Sequence, residues 1–267
     1  MCTSVTWLSP SDIAVGCANG FVAIWNISRP DPTPYLYYRI HATYILNLKS
    51  AYPTQPFLLA TTSMDGETRL TSLLDPQKDV TESTRMRFCS PHLIYSPFLQ
   101  SFLSSDENDF VRLQAVRRFF TTTAAAKCPS PISAMASGGA WHPSALMGCT
   151  DGSVVACNAL RRLMSPRERQ YQQTWFIHDW AGGSEPACSG LSRFQDGFPA
   201  ERINLLRNII GDQKPSDRKV VNGVVVVTIY EETTHVTALA WNPSQACAGW
   251  ASAGMGCGLI RIEDLAL

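Results

Sequence analysis

Val236-Thr237-Ala238-Leu239-Ala240-Trp241-Asn242-Pro243-Ser244 and Gly258-Leu259-Ile260-Arg261-Ile262-Glu263-Asp264 decide how this chain folds. The first stretch alternates apolar and polar residues, reaches an aromatic and stops at proline. The second leaves a glycine and alternates again. Ala248-Gly249-Trp250-Ala251-Ser252-Ala253-Gly254 lies between them, a run of small residues suited to a closely packed middle strand. An apolar period of two over segments this short excludes an amphipathic helix and predicts strand, turn, strand, turn, strand.

The same grammar recurs upstream. Val5-Thr6-Trp7-Leu8-Ser9-Pro10 precedes Ile13–Cys17 and then Asn19-Gly20-Phe21-Val22-Ala23-Ile24-Trp25-Asn26. Residues 45–51 precede Phe57–Thr61 and then Asp65-Gly66 with Thr68-Arg69-Leu70. Leu93-Ile94-Tyr95-Ser96-Pro97 precedes Phe102–Ser105 and Phe110–Leu113. Ala140-Trp141-His142-Pro143 precedes Leu146–Cys149 and then Asp151-Gly152 with Ser153–Ala156. Aligned on Gly20, Gly66, Asp109, Gly152 and Gly258, the copies recur every 43 to 46 residues or so, with one gap of about 106 before the last. Repeats of this period imply stacked supersecondary units.

These stretches resemble WD40 repeats: an inner strand ending in aromatic-Ser-Pro, a small-residue second strand, and an Asp-Gly turn into a third strand ending Trp-Asp. Trp25-Asn26 matches the terminal pair best, and Cys157-Asn158 and Glu263-Asp264 match it more weakly. His41, His92 and His235 stand just before inner strands, where the family places a histidine. The resemblance implies an all-β fold, a WD40 β-propeller. Five repeats recognised here are fewer than the seven usual for the family. They are expected to form an incomplete set of blades, part of a seven-bladed propeller spanning 1–267, with the remaining blades absent or supplied by another chain.

Within this frame, residues 35–40 are expected to form the outer strand of the first blade, reached through Pro30, Pro32 and Pro34. The second blade's outer strand falls within 80–89. In the third, Ser105-Asp106-Glu107-Asn108-Asp109 lacks the spacing and terminal Glu of a calcium loop and is expected to be a turn. Arg117-Arg118-Phe119-Phe120 sets two charges beside aromatics on an expected outer strand, an arrangement able to grip phosphate or stack a base. Ser137-Gly138-Gly139 is expected to bulge and bring Trp141 onto the inner strand. Trp241 and Trp250 are expected in the core.

Residues 161–223 break the rhythm. The valine-rich run 224–230 leads into His235, which makes it the expected outer strand of the fourth blade and makes 161–223 a long insertion at the rim. The other reading is a degenerate blade starting near Cys188-Ser189-Gly190-Leu191. Long loops of this kind bind something or stay disordered. Arg161, Arg162, Arg167 and Arg169, with the aromatic weight of Trp175, Phe176, Trp180 and Phe194, form the expected partner-binding region. Arg218 and Lys219, like Arg117 and Arg118, are candidates to contact phosphate or an acidic partner.

Composition narrows the function. The 267 residues are 45% hydrophobic and 16% charged, enough for a sizeable core. Twenty-two basic residues balance twenty-two acidic ones, so no general pull toward nucleic acid or membrane follows. No apolar run approaches the ~20 residues of a membrane helix, and no secretory pattern opens the chain. Nine cysteines without a CxxC point to free thiols rather than a metal site. There is no GxGxxG, P-loop, HExxH or GxSxG, so no cofactor is expected. His178-Asp179 lies near Cys188 and Ser189, but neighbouring side chains on a strand face opposite ways, which opposes a catalytic relay.

The segments YQQTWFIHDW (171–180), VVVVTIYEETTHVTALAWNP (224–243) and GWASAGMGCGLIRIEDL (249–265) are similar to the C-terminal propeller of the fungal TFIIIC subunit 6 line. That resemblance implies a non-catalytic nuclear scaffold within the factor that recognises internal promoters of RNA polymerase III genes, such as tRNA genes. The implied partner is a second WD40 propeller subunit, with DNA contact indirect or through the complex. A WD40 adaptor of another nuclear complex, in ubiquitin ligation or chromatin, and a direct nucleic-acid-binding module are the alternatives.

Overall fold

The computed structural model describes residues 1–31, 33–74, 82–85, 89–160, 172–181, 191–196, 219–222, 224–226 and 228–265. Among the described residues the extended structure is antiparallel and follows chain order. The first sheet is β1 (Cys2–Trp7), β2 (Asp12–Cys17), β3 (Phe21–Asn26) and β4 (Leu36–Arg39). The second is β5 (Ile45–Ala51), β6 (Gln55–Ser63), β7 (Glu67–Ser72) and β8 (Glu82–Arg85). The third is β9 (Leu93–Ser96), β10 (Ser101–Ser105), β11 (Phe110–Ala115) and β12 (Thr122–Lys127). The fourth has five strands, β13 (Ile132–Ser137), β14 (Ser144–Cys149), β15 (Ser153–Asn158), β16 (Gln172–Ala181) and β17 (Leu191–Asp196). A separate hairpin, β18 (Lys219–Val221) with β19 (Val224–Val226), precedes the last sheet of β20 (Val236–Trp241), β21 (Trp250–Met255) and β22 (Ile260–Asp264). This is the all-β repeat expected from the sequence.

The turn between second and third strands is built the same way five times. Gly20, Gly66, Gly152 and Gly258 sit at φ between 77° and 88°, and Asp109 takes that place in the third repeat at 66°. Only glycine enters this left-handed region freely, and Asp is among the few side chains that tolerate it. The acidic stretch 105–109 is therefore this turn. Arg112 donates to Asp106 at 2.8 Å beside it.

The chain divides into two compact units, Met1–Glu107 with Val111–Ala124, and Asn108–Phe110 with Ala125–Leu267. In the first, Val22 and Ile24 of one sheet pack with Ile45 and Leu48 of the next, and Leu70 packs with Leu93 and Tyr95. In the second, Val154 and Ala156 pack with Val236, Trp241 and Ala253, and Leu239 lies against them. Burying such sets is worth roughly 1.5–3 kcal/mol per large side chain.

Several expectations are corrected. The partner of β15 is β16, paired through Val154 with Phe176 and Ala156 with Gln173. The run at 224–230 is not that partner; its first three residues form the hairpin with β18, and 228–230 are not strand. β16 is longer, and it adds the buried aromatics that a valine run at 224–230 could not place there. Arg117 and Arg118 lie on a 3-10 turn, Val116–Arg118, and the third sheet's outer strand is β12. Trp141 falls in a turn and is half exposed, because β13 ends at Ser137 before the glycines. Trp241 is buried as expected, but Trp250 is exposed at the start of β21.

Candidate functional site

The fourth and last sheets bring the expected aromatics together. Between Val154 and Val155 the register of β16 slips by one, with Phe176 opposite Val154 and Thr174 opposite Val155. Trp175 is the extra residue of this bulge. A bulge breaks the alternation of faces, so Trp175 and Phe176, adjacent in sequence, are both buried in one core. They are packing residues and offer no docking surface. Trp180 is half buried, and Phe194 of β17 stacks edge-on against Phe176 at 5.3 Å.

Arg261 of β22 closes this cluster. Its guanidinium carbon lies 4.8 Å from the Phe176 ring centre, 5.6 Å from Phe194 and 5.9 Å from Trp175. The same group pairs with Asp196 at 2.6 Å and Glu263 at 2.8 Å, and Glu263 also accepts from the Trp175 indole at 2.8 Å. A planar cation held between aromatic faces and carboxylates fixes orientation as well as charge. No sequence motif announces this cluster, since its members come from three separate strands.

Two hollows lie in the same unit. One, of about 560 Å³, is lined by Asp151, His178, Asp179, Trp180, Tyr230 and Glu231 among others. The second, of about 590 Å³, is lined by Trp241, Pro243, Cys247, Trp250 and Ile262 among others. The Cys257 sulfur is 3.6 Å from His178 Nε2. His178 is buried behind Phe194, whereas Asp179 is exposed on the opposite face. The adjacent His-Asp pair is thus split across the strand and forms no relay.

In the first unit, His41 Nδ1 meets Asp65 at 3.1 Å and Nε2 meets Thr61 Oγ1 at 2.9 Å. Glu67 stands near enough to complete a three-ligand cluster. However, Arg69 already holds Glu67 at 2.6 Å and donates to the Ile40 carbonyl. Both ring nitrogens of His41 are engaged, so the arrangement ties the turn to the second strand. Burial lowers the His41 pKa, with the Asp65 charge opposing it. The sequence signal was the histidine ahead of the inner strand.

The remaining candidates are scattered. Arg117 and Arg118 are exposed, Phe119 is buried in the first unit's core, and Phe120 points to solvent. Arg161, Arg162, Arg167, Arg169 and Arg218 lie outside the described residues, as does the side chain of Lys219. The eight cysteines among the described residues are free thiols. Burial pushes Cys157 up to about 12, which keeps it protonated and unreactive.

No protein-family model matches the sequence. The chain is 29% identical over 266 residues to transcription factor tau subunit sfc6 of Schizosaccharomyces pombe, covering 97% of this chain and 42% of that protein. It is 31% identical over 168 residues to the transcription factor tau 91 kDa subunit of Saccharomyces cerevisiae, covering 61% of this chain and 24% of that one. The chain thus spans less than half the length of these relatives. Its similarity to the first of these tau subunits extends over nearly all of it. A chain in the crystal structure of the mitotic checkpoint complex shares the fold, with a TM-score of 0.56 over 98% of this chain and 63% of that one, at 8% identity.

Proposed function

We propose that this chain is a non-catalytic protein-interaction scaffold, acting in the nucleus as part of a TFIIIC subunit. Similarity to two tau subunits, one of them across 266 residues, is the observation that carries this reading. The architecture agrees with it, because repeated small sheets supply broad surfaces rather than a single reaction centre. The partners are other protein subunits of that factor, in particular a second propeller, and DNA is reached through the complex. We further read the five repeats as part of a seven-bladed propeller whose other blades lie outside this chain.

Docking falls to the addition that follows the fourth strand of the fourth sheet. There β17 extends the sheet, and Trp180 and Phe194 are partly accessible; Arg161, Arg162, Arg167 and Arg169, outside the described residues, precede β16 in the sequence. Affinity purification of the endogenous full-length protein from nuclear extract, with nuclease treatment and mass spectrometry, tests the assignment. TFIIIC subunits are expected among the nuclease-resistant partners, and replacing the four arginines by alanine is expected to deplete them. Recovery of a ubiquitin ligase or chromatin complex instead would sink the assignment while leaving the fold intact.

A second reading rests on Arg117, Arg118 and Phe120, each of which is exposed. Direct nucleic-acid contact through them would show as binding by the purified chain that falls steeply with salt. Binding unchanged by R117A/R118A would remove that reading.

A further inference from the structure

β16 outruns the strand it pairs with. It has ten residues and β15 has six. The ladder between them ends where Ile177 meets Ser153, and His178 then donates to the Gly152 carbonyl at 2.8 Å. Asp179, Trp180 and Ala181 continue along β17, past the start of β15. Residues from 229–234, on the way into β20, supply another wall, and the hollow of about 560 Å³ lies between.

Its walls carry three carboxylates, Asp151, Asp179 and Glu231, and two aromatic side chains, Trp180 and Tyr230. Among the described residues no lysine or arginine lines it. Asp151 is buried and accepts from the Ser153 amide at 3.0 Å and the Ser153 hydroxyl at 2.6 Å. Asp179 and Glu231 are exposed and have no ion-pair partner among the described residues. Arg193, the register partner of Asp179 on β17, does not line the hollow.

Spacing and size decide what such a hollow can take. A bare metal ion needs ligand atoms that converge on one point. Among the described residues the convergent set of three is His41, Asp65 and Glu67 in the other unit, so the three carboxylates here lie too far apart to share one ion. The volume instead suits a polyatomic guest. Aromatic rings beside carboxylates favour an organic cation, whose stem lies along the rings while its charged head meets the oxygens. The same sheet already holds one group in this way, since the Arg261 guanidinium lies 4.8 Å from the Phe176 ring centre and 2.6 Å from Asp196. There the cation is the chain's own.

We propose that this hollow binds an organic cation, a guanidinium or ammonium group on an aliphatic stem. Nothing in this depends on which complex the chain joins. Two sources offer the chemistry, a basic side chain on a peptide segment and a free diamine.

Isothermal titration calorimetry on the purified chain tests the proposal and separates the sources. The probes are an acetylated and amidated Gly-Arg-Gly peptide, the same peptide with citrulline in place of arginine, and 1,4-diaminobutane. The arginine peptide is expected to bind at least about tenfold more tightly than the uncharged citrulline peptide. The double variant Asp179→Asn/Glu231→Gln is expected to lose about tenfold in affinity for it. Both side chains are exposed, so the core is untouched, and urea unfolding confirms that the variant folds. Asp31→Asn removes an exposed carboxylate of the first unit and is expected to bind as wild type. Tighter binding of the peptide than of diaminobutane assigns the hollow to a side chain, and the reverse order assigns it to a free amine. Equal binding of the arginine and citrulline peptides, or no heat from either cation, would overturn the site. A loss in Asp31→Asn as large as in the double variant would reduce the binding to general surface charge and overturn it too.

Discussion

Arg261 sits 4.8 Å from the face of Phe176 while its guanidinium pairs with Asp196 at 2.6 Å, so one residue of the last sheet grips the outer two strands of the fourth. The side chain of Arg261 is largely buried, and that of Asp196 is mostly solvated. Most of the energy should therefore come from the aromatic faces and Glu263 rather than from Asp196, whose charge is screened by water.

Arg261→Ala is accordingly expected to destabilise the chain by about 2 kcal/mol in urea unfolding. Arg261→Lys is expected to recover only part, because an ammonium lacks the flat face. Asp196→Asn should cost below about 1 kcal/mol. An Asp196→Asn loss as large as that of Arg261→Ala would show the ion pair to be the principal tie.

Phe119 and Phe120 are neighbours in sequence with opposite environments, one in the core and one in solvent. Phe119→Ala should cost about 3–5 kcal/mol through the cavity it leaves. Phe120→Ala should stay within about 0.5 kcal/mol. Thermal unfolding of the two variants separates these outcomes, and similar losses would contradict the placement of the 3-10 turn.

The turn glycines differ in what surrounds them. A Cβ at Gly152 would collide with the His178 carbonyl oxygen, whereas nothing lies within 4 Å of one at Gly258. Both have φ near +80° to +88°. Gly258→Ala should cost only the left-handed backbone penalty of about 1–2 kcal/mol. Gly152→Ala adds a collision with backbone and should lose clearly more, or fail to fold. Equal urea midpoints for the two variants would count against this packing.

Stability should also fall under mild acid. Burial lowers the pKa of His41, opposed by Asp65, and lowers that of His142, opposed by Asp264. A histidine whose folded pKa lies below its unfolded value of 6.5 leaves the folded state at full stability above that pH. As pH falls below 6.5 the unfolded chain takes up protons first, and stability drains at no more than about 1.4 kcal/mol per histidine per pH unit. Urea unfolding between pH 7.5 and pH 5 should show this slope, and His41→Gln should flatten it. A slope unchanged by that substitution would remove His41 from the account.

Much of the repeat was legible in the sequence because its signals are local. Alternation marked β3, β11, β15 and β20, and the turn residues at 20, 66, 109, 152 and 258 were found from their neighbours alone. The expected outer strands within 35–40 and 80–89 correspond to β4 and β8. The candidate site was far less legible. Trp175 and Phe176 were assigned to a partner-binding region for their aromatic weight in a segment that breaks the repeat, and no local rule announces the bulge that turns both inward.

The sequence by itself determined which segments are extended and where the chain must reverse. Those choices depend on steric limits at single residues and on a period of two along a strand. The tertiary structure alone decided that β16, rather than the valine run at 224–230, completes the pairing of β15, and that Ile260 and Ile262 are left exposed. Backbone hydrogen bonding is generic, so any extended segment can satisfy a strand edge. Which one does so depends on apolar area buried by residues distant in sequence, and whether a face is covered depends on what lies beside it.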